Sequence, residues 1–348
     1  MMISIGNKKI GEGEPCFIIA EAGVNHNGDL ERAKKLIDAA QEAGADAVKF
    51  QTFDAENLVT RNARKADYQK KNDSATTTQF QMLKNLEFSE TDFKILSIHA
   101  KKRGIVFLST AFDEGSVELL FHLGVPAFKI PSGEITNFPL IEKIAVGEKP
   151  VILSSGMSTM VEVKEAVSFL QEKGCREIII LHCTSSYPAP LESVNLRVMD
   201  TLKEEFALPI GYSDHTAGIL VPVAAVARGA CVIEKHITLD RTLPGPDHAA
   251  SLEPDEFKQM VSSIQDTESA LGDGKKQLQS CETQIRDIVR KSIVAAKKIP
   301  PGIRITEDML AIKRPGTGIE PKYLNRLVGK SMICGIKKDT IITWDMVQ

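Results

Sequence analysis

The residues best suited to chemistry crowd into the stretch 211–247. It reads Gly-Tyr-Ser-Asp-His at 211–215, then an apolar, helix-like run, then Cys-Val-Ile-Glu-Lys-His at 231–236 and Pro-Gly-Pro-Asp at 244–247. His215 and His236 each stand at the end of a short apolar strand. Consecutive parallel strands joined by one helix lie side by side, so the two rings would converge on one point. A pair of neutral imidazole nitrogens suits a divalent metal that keeps open positions. One such His alone reads as a strand-end cap. Two at matching ends, flanked by Ser213, Asp214, Glu234 and Lys235, point to a site.

The elements that must position these rings recur along the chain. Residues 16–21 form an apolar run without alternation, as expected of a strand buried on both faces. Residues 22–28 make a loop, Asp29 is read as the N-cap, and Gly44 stops the helix that follows. Further strands are predicted at 47–52, 105–110, 127–130, 150–155, 177–183, 208–212 and 231–237, with helices between them and a closing helix at 254–271. Eight short strands alternating with helices predict a (β/α)8 TIM barrel, the fold class being α/β. A doubly wound sheet is the alternative, but no GxGxxG follows the first strand. The polar segment 54–80 is long for a loop and reads as functional or mobile. Beyond residue 290 the alternation stops, and short β-like pieces at 292–296 and 310–313 lie between Pro-Gly turns. The expected organisation is a barrel over 1–273, a linker over 274–288 and a small, mostly β domain over 289–348.

Barrel active sites gather at the C-terminal ends of the strands. Those ends supply Glu21 and Asn25, then Lys49 and Gln51, Ser109 and Thr110, and Lys129, Ser132 and Glu134. They continue with Ser154 and Ser155, His182, Thr184, Ser185 and Tyr187, then Ser213 to His215 and Glu234 to His236. Two lysines among a ring of hydroxyls would receive phosphate and carboxylate groups. A single Ser reads as a turn hydroxyl; six strands contributing to one rim do not. Lys49 and Lys129 lie between apolar neighbours, which is unusual for a solvated lysine. Glu21 and Glu134 suit acid/base work or ion pairs to those lysines, and both readings stay open. Arg314 lies in a turn of the small domain and matters only if that loop reaches a barrel mouth, that of a partner subunit included.

Composition excludes several classes. Over 348 residues, 43% apolar and 26% charged content is ordinary for a soluble globular protein. A net charge of −3 gives no reason to expect nucleic acid or an anionic membrane. The six Cys show no CxxC and sit mostly in apolar runs, as in a reducing compartment. No signal peptide is read, and the run 217–233 is broken by Arg228, so a cytoplasmic protein without a membrane span is expected.

These motifs resemble those of the sialic acid (nonulosonic acid) synthases over nearly the whole chain. The carriers are Glu21-Ala-Gly-Val-Asn-His-Asn-Gly, Lys49-Phe-Gln-Thr, Lys129-Ile-Pro-Ser-Gly-Glu, Leu153-Ser-Ser-Gly-Met and His182-Cys-Thr-Ser-Ser-Tyr-Pro. Gly211-Tyr-Ser-Asp-His-Thr, Glu234-Lys-His and Gly245-Pro-Asp add to them, and Lys313-Arg-Pro-Gly-Thr-Gly-Ile resembles the family's antifreeze-like (SAF) domain. The resemblance implies condensation of phosphoenolpyruvate with an N-acylated mannosamine-type sugar and release of phosphate. It implies His215 and His236 as ligands of Mn²⁺ or Mg²⁺, Mn²⁺ being favoured. It implies phosphoenolpyruvate contacts at Lys49, Thr110, Lys129, Ser132, Ser154, Ser185 and Ser213, and sugar contacts at Gln51, Glu134, Tyr187 and Asp247. Arg314 would arrive from the other subunit of a domain-swapped homodimer. Lys49-Phe-Gln-Thr-Phe53 and Ile130-Pro-Ser-Gly-Glu resemble the legionaminic acid branch, and Arg290 stands where the sialic branch usually carries an aromatic residue near the sugar's acyl group. The favoured sugar is therefore 2,4-diacetamido-2,4,6-trideoxymannose rather than N-acetylmannosamine. Rival readings are a metal-dependent aldolase or lyase, which needs no phosphate receptor, and a carbohydrate- or ice-binding protein, which would not turn substrate over.

Overall fold

The computed structural model describes residues 1–72 and 76–348. Residues 73–75, inside the polar segment 54–80, lie outside the described residues. The chain divides into two compact units, Met1–Gly272 and Asp273–Gln348.

The first unit is a closed barrel of eight parallel strands. They are β3 (Phe17–Gly23), β4 (Ala47–Thr52), β5 (Val106–Ala111), β6 (Phe128–Ile130), β7 (Val151–Ser154), β8 (Ile178–Cys183), β9 (Ile210–Asp214) and β10 (Val232–His236). Closure comes from β10 pairing with β3, in a register running from Val232 opposite Phe17 to His236 opposite Glu21. Before the barrel stands a two-stranded antiparallel hairpin, β1 (Ile3–Ile5) and β2 (Lys8–Ile10).

Side chains on a strand alternate between its two faces, and this parity builds the two cores. Outward residues such as Ile18, Val48, Phe128, Leu153 and Ile180 pack with the surrounding helices. Inward residues Phe17, Ile19, Ala47, Leu108, Ala127, Ile152, Ile179 and Leu181 form a second cluster with Ile3, Ile5 and Ile10 of the hairpin. The hairpin thus plugs the N-terminal end of the barrel with three fully buried isoleucines. Its role was not legible as more than a short opening segment.

The helices begin and end where their sequence says they should. Asp29 caps Leu30–Glu42 by accepting from the backbone N–H of Glu31 and Arg32. Ser89 and Asp92 form a capping box at the start of Glu90–Arg103, which Gly104 ends in a left-handed conformation at φ 75°. The 54–80 segment is not a bare loop: it carries the short helices Ala55–Leu58 and Asp67–Asn72 and leads into Gln79–Lys84. Four of the six cysteines are buried and all are free, but Cys281 and Cys334 are exposed.

In the second unit, β11 (Ser292–Ala295) pairs antiparallel with β12 (Leu310–Lys313). Ile293, Ile299, Ile305, Leu327 and Ile342 form its own small core. The segment 274–288, predicted as a linker, runs into the short helix Thr283–Val289. Among the described residues no helix is long and apolar enough to cross a membrane.

Candidate active site

The upper layer of the barrel interior is polar where the lower layers are apolar. Parity places Glu21 on β3, Lys49 on β4, Thr110 on β5, Lys129 on β6, Ser154 on β7, Ser213 on β9 and Glu234 on β10 around a cavity of about 490 Å³. Lys49 and Lys129 are each 3% exposed, so their charges are held by partners rather than by water. Lys49 Nζ lies 2.5 Å from Glu21 Oε2 and 3.7 Å from Glu234 Oε2. It also donates to Thr110 Oγ1 at 2.9 Å. Lys129 Nζ donates to Ser154 Oγ at 2.6 Å and stands 3.9 Å from Glu234 Oε1, which accepts from Ser213 Oγ at 3.1 Å.

Two lysines and two carboxylates therefore share one buried floor, and their titration follows from that arrangement. Burial works against a charged Lys49, yet the Glu21 and Glu234 carboxylates outweigh it and hold the ammonium above the usual lysine range. For Lys129 burial prevails and lowers it. Burial pushes Glu21 up to about 7, whereas at Glu234 the two lysines overcome burial and keep the carboxylate ionised. A floor with two cations beside one firm carboxylate and one soft one can accept an anionic substrate without unpaired charge.

His215 and His236 meet at the centre, their ring centroids 5.5 Å apart, with the Tyr187 ring 4.1 Å from that of His215. His215 Nδ1 donates to the Thr184 carbonyl at 2.9 Å, which leaves Nε2 with its lone pair. His236 Nδ1 is buried with no hydrogen-bond partner, an orphan of the kind that a missing ligand would explain. Burial, followed by His215 and Lys49, keeps His236 well below the usual imidazole range and so neutral. Burial works against a charged His215, but Cys183, the Thr184 carbonyl and Glu234 outweigh it and raise that ring, so only His236 is held neutral. A divalent cation takes both imidazoles in their neutral form, and two rings at this spacing fit one. Among the described residues no group of three or more acidic, His or Cys side chains gathers as a closed cage, so such an ion would take further ligands from water or substrate.

Most of the residues singled out from the sequence meet here: Gln51, Ser132, Ser185, Tyr187 and Asp247 also line the cavity. Gln51 donates to Glu21 Oε1 at 3.2 Å, and burial pushes Asp247 up to about 6. Others the structure places outside the lining of this cavity. Glu134 does not line the cavity; its carboxylate accepts from Asn137 Nδ2 at 2.6 Å and pairs with neither lysine. Ser109 bonds to Thr52 on the outer face of the sheet, and His182 to the Val194 carbonyl. Asp214 and Lys235 form a fully buried ion pair at 2.5 Å on the helix side of the barrel, away from the cavity. Arg290 and Arg314 belong to the second unit, where Arg314 Nε donates to the Val289 carbonyl at 3.0 Å. Glu234 is the residue that sequence reasoning undervalued. It sits two positions before His236, so strand parity alone would have placed both on one face.

Glycine permits the close approach of the hydroxyls. A Cβ on Gly156 would collide with Ser185 Oγ and lie 2.7 Å from Ser132 Oγ and 3.1 Å from Cys183 Sγ, while its N–H donates to Ser132 Oγ at 2.9 Å. Gly156→Ala is expected to raise KM for an anionic substrate about tenfold, roughly 1.4 kcal/mol, with about 1–3 kcal/mol of stability lost to the overpacking. Steady-state kinetics beside a thermal melt would show it, and an unaltered KM would remove Gly156 from the receptor.

Residues 36–276 match the NeuB family and residues 290–348 the SAF domain. The chain belongs to the NeuB family. Over 347 residues, 99% of this chain and 98% of the relative, it is 49% identical to N,N'-diacetyllegionaminic acid synthase of Legionella pneumophila. A relative of the same name from Campylobacter jejuni is 50% identical over 328 residues, covering 94% of this chain and 98% of that protein. The crystal structure of N-acetylneuraminic acid (sialic acid) synthetase from Leptospira borgpetersenii, in complex with citrate, matches with a TM-score of 0.74 at 40% identity. That match covers 82% of this chain and 95% of that one. As a NeuB protein with this floor, the chain is a nonulosonic acid synthase, an enzyme of the transferase type.

Proposed function

We propose that the enzyme condenses phosphoenolpyruvate with 2,4-diacetamido-2,4,6-trideoxymannose to give N,N'-diacetyllegionaminate and phosphate. The observation that carries the first substrate is the buried floor, where Lys49 and Lys129 stand among Thr110, Ser154 and Ser213. Such a floor matches a carboxylate and a phosphate on one small molecule. The sugar assignment leans on the two diacetyllegionaminic acid synthases at about half identity. The likeness to a sialic acid synthetase supports N-acetylmannosamine as the second reading.

The reaction closes as follows. C3 of phosphoenolpyruvate forms a bond to the sugar's aldehyde carbon, whose oxygen takes up a proton, and positive charge develops at C2. Water adds to C2 and gives a proton to Glu21, which Gln51 and Lys49 hold in place. Cleavage of the C2–O bond then releases phosphate and leaves the 2-keto acid. Lys129 and Lys49 offset the charge of the leaving phosphate. His215 and His236 are proposed to hold a divalent metal, Mn²⁺ or Mg²⁺, which when bound supplies Lewis acidity toward the aldehyde oxygen.

The test is phosphate release with each sugar in the presence of Mn²⁺, compared by kcat/KM. Preference for the diacetamido sugar is the expected result. Preference for N-acetylmannosamine would install the second reading. Release with neither would overturn the condensation. A base at Glu21 also sets a pH dependence. Its working form is the carboxylate, which is lost as pH falls through about 7, so kcat/KM is expected to decline on the acid side of neutrality. Glu21→Gln should lower the rate about 10²- to 10⁴-fold and abolish that acid limb. A variant that keeps the limb would assign it to another group.

A further inference from the structure

The mouth of the cavity carries a wall that bond formation does not use. Val24, Met82 and Leu86 are buried there, and Leu83 and Phe112 are half-buried and face the cavity. Phe53 packs edge-on against Phe112, with ring centroids 6.3 Å apart at 82°, which fixes the ring in place. Phe112 lies two residues beyond Thr110 and one past the end of β5, and its N–H donates to the Thr52 carbonyl. At about 3.3 Å per residue, the wall stands roughly 7 Å outward of the cationic floor.

A sugar reacting at its aldehyde must place C1 beside phosphoenolpyruvate, close to the floor. The far end of the open chain is then carried toward the mouth. A hydroxymethyl group set against Leu83 and Phe112 gives up water for carbon, whereas a methyl group gains apolar contact. Gln51, Gln69 and Gln79 also line the cavity, so the preference measures which of these surfaces the terminal carbon meets. We propose that Leu83 and Phe112, backed by Val24, Met82 and Leu86, form an apolar receptor for the terminal carbon of the sugar and select a C6 methyl over a C6 hydroxymethyl. This rests on the condensation proposed above, but not on which acylamino groups the sugar carries.

The experiment uses pairs of sugars that differ by the C6 oxygen alone. N-acetylmannosamine is compared with its 6-deoxy form, and 2,4-diacetamido-2,4-dideoxymannose with its 6-deoxy form. The wild-type enzyme is expected to favour the deoxy member about 10- to 100-fold in kcat/KM, the range available to an apolar pocket facing one added hydroxyl. Leu83→Gln should cut that preference about tenfold while KM for phosphoenolpyruvate stays unchanged. Leu83 is half-buried on the short helix Gln79–Lys84, so the substitution leaves the barrel core alone. Phe112→Leu, which keeps the wall apolar, should retain most of the preference. A wild-type ratio near one in an active series would overturn the receptor, as would a Leu83→Gln variant that slows both members equally. No phosphate release in either series would instead overturn the condensation reading and the receptor with it. If N-acetylmannosamine outperforms the diacetamido sugar while 6-deoxy sugars still win, the receptor stands and only the sugar assignment changes.

Discussion

Lys49→Met is expected to inactivate the enzyme and to destabilise it at the same time. The ammonium is the nearest cation to both Glu21, at 2.5 Å, and Glu234, at 3.7 Å, with all three side chains almost fully buried. Methionine fills similar space but leaves two carboxylates facing Lys129 alone. Removing one partner of a buried pair costs about 3–5 kcal/mol, because the remaining charge stays desolvated. Denaturant unfolding should show a loss of that order, and kcat/KM should fall by at least about 10³ once a cation at the phosphate position is gone. The double variant Lys49→Met, Glu21→Gln offers an internal check. It should recover part of the lost stability, since the stranded carboxylate is neutralised, and none of the activity. A single variant of wild-type stability would mean that the floor is not held together by these charges.

His236→Ala is expected to have the second large effect, on metal affinity. Its ring is neutral, buried and without a hydrogen-bond partner at Nδ1, so it has no evident structural duty that alanine would forfeit beyond packing. Loss of one of the two proposed ligands should weaken Mn²⁺ binding by about a hundredfold, measured by titration calorimetry on the full chain. Phosphoenolpyruvate binding should persist, because Lys129, Ser154 and Thr110 remain in place. Unchanged Mn²⁺ affinity would exclude His236 as a ligand regardless of what happens to turnover.

Much of this site was legible before any coordinate was known. The two histidines, the two lysines and the hydroxyls were recoverable because a barrel gathers its strand ends, and strand ends can be read one at a time. What failed was parity. Ser109, His182, Asp214 and Lys235 stand at the right height on the wrong face, one residue out of step with the inward set. Glu134 stands apart for a different reason, since the 3-10 turn Ser132–Glu134 carries Ser132 to the cavity and gives Glu134 a bond from Asn137. Neither placement was legible locally, because which face is inward depends on a closure between β10 and β3 that joins residues more than two hundred positions apart.

The sequence by itself determined the cycle of strand and helix, the change of pattern before residue 290, and the residue types offered at each strand end. Those are local properties: apolar runs, N-caps such as Asp29 and Ser89, and helix-ending glycines such as Gly104 act over a few residues. Only the tertiary structure decided how the offered groups pair. It set Glu234 between two lysines, softened Glu21 by burial, left His236 Nδ1 without a partner and raised an apolar wall at the mouth. Charge balance and burial depend on every neighbour at once, and closure of the barrel is what brings those neighbours together.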